Sequence, residues 1–244
     1  MKKTLLTLAA CSLSITFSLA QINLNDLGKK LENAASTATG GQTGLSNQDI
    51  ISGLKEALTV GSKNSSEKAS KLDGFMKNTK IKIPFPKEAT EMESTLRSVG
   101  MGPEVDKFVL TLNRAAEDAA KEAAPIFRDA VTKMTISDGL GILKGADNAA
   151  TSYLKNATSA ELTAKFKPII GASMNKVEVT RYWKPLATKY NKIPMARKVN
   201  PNLEEYVTKK AIEGLFVLVA EEEAKIRKDP AARVSDILKK VFGN

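Results

Sequence analysis

Three groups of residues have types and spacing that could support chemistry. The first is a set of carboxylates: Glu221, Glu222 and Glu223 in one run, and Asp118 four residues before Glu122. Two carboxylates perform acid–base work when their environments split their pKa values, leaving one a proton donor and the other a base. Here Glu221 precedes Lys225 by four residues and Glu223 precedes Arg227 by four, the spacing of ordinary ion pairs on a helix surface. The pattern reads as a solvated helix face. The second group is serine with lysine, a nucleophile system that needs no histidine. Both residue types are too common in this chain for any one pairing to stand out.

The third group is residues 176–198. Lys176, Arg181, Lys184, Lys189, Lys192, Arg197 and Lys198 stand there against one acid, Glu178. Tyr182, Trp183 and Tyr190 are interleaved, and Trp183 is the only tryptophan of the chain. Cations mixed with amphipathic rings suit phosphate or carboxylate groups over an apolar layer, as at lipid headgroups. They also suit a charged glycan, held by ring stacking and charge-assisted hydrogen bonds. Arg181, Tyr182, Trp183, Lys184, Lys189, Tyr190 and Lys192 therefore form the candidate partner-binding surface. In the alternative reading the aromatics anchor this segment to the core and only the lysines face water.

Other chemistries are excluded by composition. The chain has no histidine, which removes Ser-His-Asp and Cys-His catalysis, His-ligated zinc and histidine pH switching. Its one cysteine, Cys11, falls in the leader, so the processed chain has no thiol, disulfide, cysteine-ligated metal or iron–sulfur cluster. Calcium-loop, Walker-loop and dinucleotide patterns do not occur. No catalytic, metal or cofactor residue is assigned. The net charge of +10, or +8 without Lys2 and Lys3, draws the protein toward anionic partners such as phospholipid headgroups or envelope polymer. Export argues against nucleic acid.

Export is the reading of residues 1–20. Lys2 and Lys3 open a short positive region, residues 5–19 form an apolar stretch diluted by Ser and Thr, and Ser18-Leu19-Ala20 places small residues before Gln21. The stretch is too short and too polar to span a membrane. The expectation is a signal peptide cleaved before Gln21, giving a periplasmic or secreted protein. Leu8-Ala9-Ala10-Cys11 offers the alternative of a lipobox, with the chain anchored through Cys11.

The elements that must position any site follow from periodicity. Residues 21–45, rich in Asn, Ser, Thr and Gly, read as a flexible tether. Residues 46–244 read as one compact, multi-helix, all-α domain. Ser46 or Asn47 caps a helix carrying Ile50, Ile51, Leu54 and Leu58. Residues 80–86 alternate and contain Pro84 and Pro86, so they form an extended connector or an edge strand. Pro86 can open a helix that runs through Met92 and Leu96 to Gly100. Gly102-Pro103-Glu104 starts a helix with a stripe of Val105, Phe108, Val109, Leu112, Ala116, Ala119 and Ala123, which Pro125 ends or kinks. A short element follows from Ser137 to Gly145, and Ser159 to Glu161 starts the next helix. Asn202 caps a helix whose run 211–220 is apolar on nearly all sides, so residues 203–226 form the most buried helix. Asp229-Pro230 caps a last helix with Val234, Ile237, Leu238, Val241 and Phe242 facing inward.

Several phrases in this order carry a resemblance. They are Lys82-Ile83-Pro84, Leu112-Asn113-Arg114-Ala115-Ala116-Glu117, Pro125-Ile126-Phe127, Tyr190-Asn191-Lys192-Ile193-Pro194, Tyr206-Val207-Thr208, the stretch 226–233, and the stretch 238–243. From about residue 46 to the end the chain resembles the bacterial family catalogued as domain of unknown function 4197. That resemblance implies an exported, helical, single-domain protein and carries over no functional residues. The leading expectation is a non-enzymatic cell-envelope protein that binds an anionic or amphiphilic partner. An enzyme of unrecognised type and a structural or assembly protein are the alternatives. A deep polar pocket would favour the enzyme, a shallow basic face surface binding, and a large exposed apolar patch assembly.

Overall fold

Helix boundaries in this chain follow local capping chemistry in some places and long-range contacts in others. The computed structural model describes residues 46–176, 183, 184, 187, 188, 190–192, 194, 195, 197–200, 202–229 and 239. All of them belong to the unit formed by residues 45–244. The expected signal peptide, the tether and the last helix after Pro230 lie outside the described residues. The α-helices are α1 (Asn47–Ser70), α2 (Thr90–Ser98), α3 (Gly102–Ala120), α4 (Ala123–Lys133), α5 (Ile136–Lys144), α6 (Ala149–Asn175) and α7 (Leu203–Lys228). One 3-10 turn, Lys87–Ala89, precedes α2. Among the described residues there is no strand, so the domain is all-α.

Most locally coded starts are where the sequence places them. Ser46 and Asp49 form a reciprocal capping box at α1. α5 starts at Ile136, one residue ahead of the expected Ser137, because Thr135 and Asp138 form the same kind of box there. Asn202 accepts a hydrogen bond from the Glu205 backbone N–H at the start of α7. Pro103 sits in the first turn of α3, where its missing N–H costs nothing. The break between α3 and α4 falls at Lys121 and Glu122, ahead of the expected point at Pro125. Pro125 cannot donate to the Lys121 carbonyl and its ring collides with it, so the helix stops one turn before the proline. Pro125 itself then occupies the first turn of α4.

The start of α6 corrects the sequence expectation. The helix begins at Ala149, about ten residues before Ser159. Asn148, the residue at its N-cap, makes no side-chain cap bond. Glu223 of α7 caps it instead: its carboxylate accepts from the Ala150 N–H at 3.0 Å, the Thr151 N–H at 2.8 Å and the Thr151 hydroxyl at 2.7 Å. Arg227 bonds Glu223 at 3.0 Å and reaches the Ile142 carbonyl in α5 at 3.1 Å. Glu223 is buried, so its pairing with Arg227 is an interior clasp and not the solvated face its spacing suggested.

α7 lies against α1, α3 and α6, with α4 and α5 completing the packing around α1 and α6. Its Val207, Ala211, Leu215 and Leu218 are nearly fully enclosed. The helix is central, as its apolar run predicts, but Val217 breaks the expectation: it is 39% exposed. A helix of 3.6 residues per turn packed on three neighbours still leaves one side to solvent, and Val217 is on it. Leu215→Asp should therefore abolish cooperative folding, since a bare charge there costs on the order of 4 kcal/mol or more. Val217→Asp should leave thermal melting within a few degrees of wild type. Circular dichroism melts of both variants check the pair.

Candidate functional site

The most distinctive surface is built on a stretch of chain that is not helical. Residues 71–86 leave α1, turn, and run as an extended connector to the turn at Lys87. A helix, α3, holds them in place with three polar side chains. The Glu117 carboxylate is 4% exposed and accepts from the Phe75 and Met76 N–H groups at 3.1 and 3.2 Å. Arg114 donates to Glu117 at 2.6 Å and to Asp73 at 2.7 Å. The Asn113 amide reads Ile83 as a neighbouring strand would, accepting from its N–H at 2.8 Å and donating to its carbonyl at 2.9 Å. Asp73 adopts a left-handed backbone (φ 66°) that Asp tolerates better than most residues. Hydrogen bonds from Lys77 and then Arg114 hold its carboxyl below the ordinary value.

Held this way, the connector runs antiparallel to α7 and forms one wall of an open groove of about 400 Å³. Pro84 lies beside Tyr206, whose hydroxyl donates to the Pro84 carbonyl at 3.1 Å. Ile81 lies beside Gly214, and Lys80 reaches Glu221 at 2.6 Å. Gly214 is required for this approach: a Cβ there would stand 2.8 Å from the Phe75 ring and 3.0 Å from the Ile81 Cβ. The lining includes Lys80, Lys82, Lys87, Lys209 and Lys210 with Glu88 and Glu213, over Ile81, Pro84, Tyr206, Gly214 and Val217. Lys80 is tied to Glu221, and Lys210 pairs with Glu213 at 2.7 Å. Lys82, Lys87 and Lys209 have no ion pair among the described residues. Burial, with the charges of Glu88 and Glu213, pushes the Tyr206 phenol up to about 12. It therefore stays neutral and a hydrogen-bond donor at any physiological pH.

The surface expected from sequence is divided. Trp183 is 4% exposed, its ring stacked at 5.4 Å on Phe108 and edge-on to Phe85 at 5.6 Å. It therefore lies in the core and cannot lend contact area to a partner, which corrects its assignment to the binding face. Among the described residues its buried indole N–H finds no acceptor. Tyr190 is half-buried and donates to Glu91 at 2.7 Å. Lys184 and Lys192 are exposed, as are Lys176, Arg197 and Lys198. Arg181, Tyr182 and Lys189 lie outside the described residues. Two further clefts are electrostatically balanced by comparison. One, near Trp183, sets Lys184 against Glu204; in the other Arg97 is bound to both Glu93 and Asp106. Among the described residues no group of three or more acids could hold a metal ion. None of their helices is long and apolar enough to cross a membrane.

The groove was missed in the sequence because its lysines come from two segments more than a hundred residues apart. The nearest signal was the alternation of residues 80–86, which sets exposed Lys80, Lys82 and Pro84 beside buried Ile81, Ile83 and Phe85. A family described as "Protein of unknown function (DUF4197)" matches residues 44–243. No curated protein and no solved structure matches the chain.

Trp183→Ala should cost about 3–5 kcal/mol of stability by leaving a cavity beside Phe85 and Phe108, as urea unfolding would measure. Tyr206 gives a pH signature. Its folded pKa exceeds its unfolded value, so its contribution is intact below pH 10 and is lost as pH rises toward about 12. Tyr206→Phe should flatten that alkaline loss in unfolding curves taken between those limits.

Proposed function

The chain belongs to the DUF4197 family, and on that premise we propose that it is an exported, non-enzymatic cell-envelope protein that binds an anionic or amphiphilic partner in the groove between the 80–88 connector and α7. The observation that carries this reading is the convergence of Lys82, Lys87 and Lys209, which have no ion pair among the described residues, on one concave surface that also holds Glu88, Pro84, Tyr206 and Val217. Pairing neutralises a surface lysine, whereas lysines left unpaired side by side repel one another and gain energy when an anion arrives. The volume lies within the range of small-ligand sites. The leader-like residues 1–20 and the basic mature chain support an envelope location, where anionic lipids and polymers are the abundant partners. The exposed cations of 176–198 favour a second reading, in which that segment is an additional or separate contact face.

Charge near an anionic surface contributes roughly 1 kcal/mol per basic residue and fades within a Debye length. Replacing Lys82, Lys87 and Lys209 together by Gln should therefore weaken binding to anionic-lipid vesicles or immobilised polyphosphate by roughly a hundredfold at low salt. Raising salt should weaken wild-type binding steeply, and thermal melting should be unchanged. Lys184→Gln with Lys192→Gln is the companion variant. A loss confined to that variant would move the contact to residues 176–198. Wild-type binding that ignores salt would end the anionic-partner reading.

A further inference from the structure

The chain leaves the core at Tyr190 and returns to it at Val199, and both ends of the loop between them are fixed. The Tyr190 hydroxyl donates to Glu91 at 2.7 Å. The Asn191 N–H donates to the carbonyl of buried Ala187 at 2.9 Å. The Asn191 amide then closes the neck of the loop: it donates to the Val199 carbonyl at 2.6 Å and accepts from the Val199 N–H at 2.7 Å. Val199 itself is buried. What this neck holds out is Met195. At 104% it is the most exposed large apolar residue among the described residues. Its backbone is left-handed (φ 65°), a region that a bulky residue without a local hydrogen-bonding side chain rarely occupies.

Two unfavourable features therefore meet at one position. An unbranched, flexible thioether can lie against most apolar surfaces, and this one touches none. The strained backbone is at the same residue, and such strain clusters where a protein meets its ligands. The charges around the tip give the surface its sign. Lys192, Arg197 and Lys198 are exposed and have no ion pair among the described residues. The sequence contains no acid from 179 to 203, and Glu91, at the base of the loop, is engaged by Tyr190. An anionic polymer would answer the cations and leave Met195 in water. An anionic bilayer answers both. Its phosphates lie at the level of the cations, and its acyl chains begin just beneath, within reach of a protruding side chain. Long Lys and Arg stems can lie in that boundary while their charges stay among the headgroups.

We infer that the 191–199 loop docks this protein on the surface of an anionic bilayer, with Met195 entering the acyl boundary and Lys192, Arg197 and Lys198 meeting lipid phosphates. This rests on the second reading given above, that residues 176–198 form a contact face, and gives that face one partner. It does not depend on the groove. The fixed neck presents the tip ready-made, so little ordering is left for the moment of binding.

The probes are vesicles of phosphatidylcholine and phosphatidylglycerol in equal parts, with pure phosphatidylcholine vesicles and immobilised polyphosphate as comparisons. The protein is the chain from Gln21 to its end. Asn accepts the left-handed backbone, so Met195→Asn should melt at or above the wild-type temperature. Its affinity for the anionic vesicles should fall roughly tenfold, the loss of one apolar side chain from the boundary, while its binding to polyphosphate stays unchanged. Replacing Lys192, Arg197 and Lys198 together by Gln should weaken binding to both on the order of a hundredfold at low salt. Met195→Cys gives this chain a single thiol. An environment-sensitive dye attached there should shift to the blue on the anionic vesicles, and the same dye on Val217→Cys, in the groove, should not. A shift at 217 with none at 195 would overturn the loop and leave the groove reading standing. Equal vesicle binding by wild type and Met195→Asn would overturn insertion and leave a contact face that works through charge alone. If neither the anionic vesicles nor polyphosphate binds at low salt, this inference and the anionic-partner reading fall together.

Discussion

The arrangement of this domain depends on a buried carboxylate, Glu117, that accepts hydrogen bonds from a stretch of backbone with no secondary structure of its own. Phe75 is fully buried, and its N–H would have no partner in an all-helical interior unless a side chain provided one. Glu117 provides it, Arg114 balances the charge, and Asn113 performs the same service one turn earlier for Ile83. A buried carboxylate is stable only when its charge is compensated and its lone pairs are used. Here one oxygen takes two backbone donors and the other takes a guanidinium. Removing any member leaves the others desolvated and unpaired, so the clasp acts as a unit.

From that clasp the groove follows. With Ile81, Ile83 and Phe85 drawn into the core, the alternation of an extended chain turns Lys80, Lys82 and Pro84 outward. Gly214 lets the connector approach α7 closely enough for the two to share a floor. The lysines on that rim are exposed because their neighbours are buried. The site is thus a by-product of how the core is satisfied, and its chemistry is set by which lysines find a carboxylate. Glu221 and Glu213 each claim one, and three remain.

Glu223 shows the same logic at the other side of the molecule. A long helix needs its first N–H groups capped, and Asn148 does not do it. The charge that caps α6 comes from α7, 72 residues away along the chain. Together Glu117 and Glu223 tie α3 to the connector and α7 to α6 through charge-assisted hydrogen bonds, which are directional where apolar packing is not. In a core built from small and aliphatic side chains with few rings, such bonds specify register that packing alone leaves loose.

What the sequence by itself determined was whatever depends on neighbours within a turn or two. The all-α class, the caps at Ser46 and Asn202, the first turn at Pro103 and the extended stretch around Pro84 could all be read because each is decided by local sterics or by a side chain within four residues. The centrality of α7 was legible from its apolar run, and the exclusion of histidine chemistry from composition. The start of α6 was not. Its buried face repeats every fourth residue from Ala150 to Met174 and includes Thr158, while alanines dilute the outer face, so the stripe has little contrast. Its cap is also remote. Tertiary structure alone decided that Trp183 faces Phe108 and not solvent, that Val217 is exposed within an apolar run, and that Glu223 is interior although it has the spacing of a surface pair. It alone brought Lys82 and Lys87 to Lys209. Spacing along a chain tells which side chains share a helix face, but whether that face meets water or another helix depends on the docking of distant elements, and no local pattern contains that information.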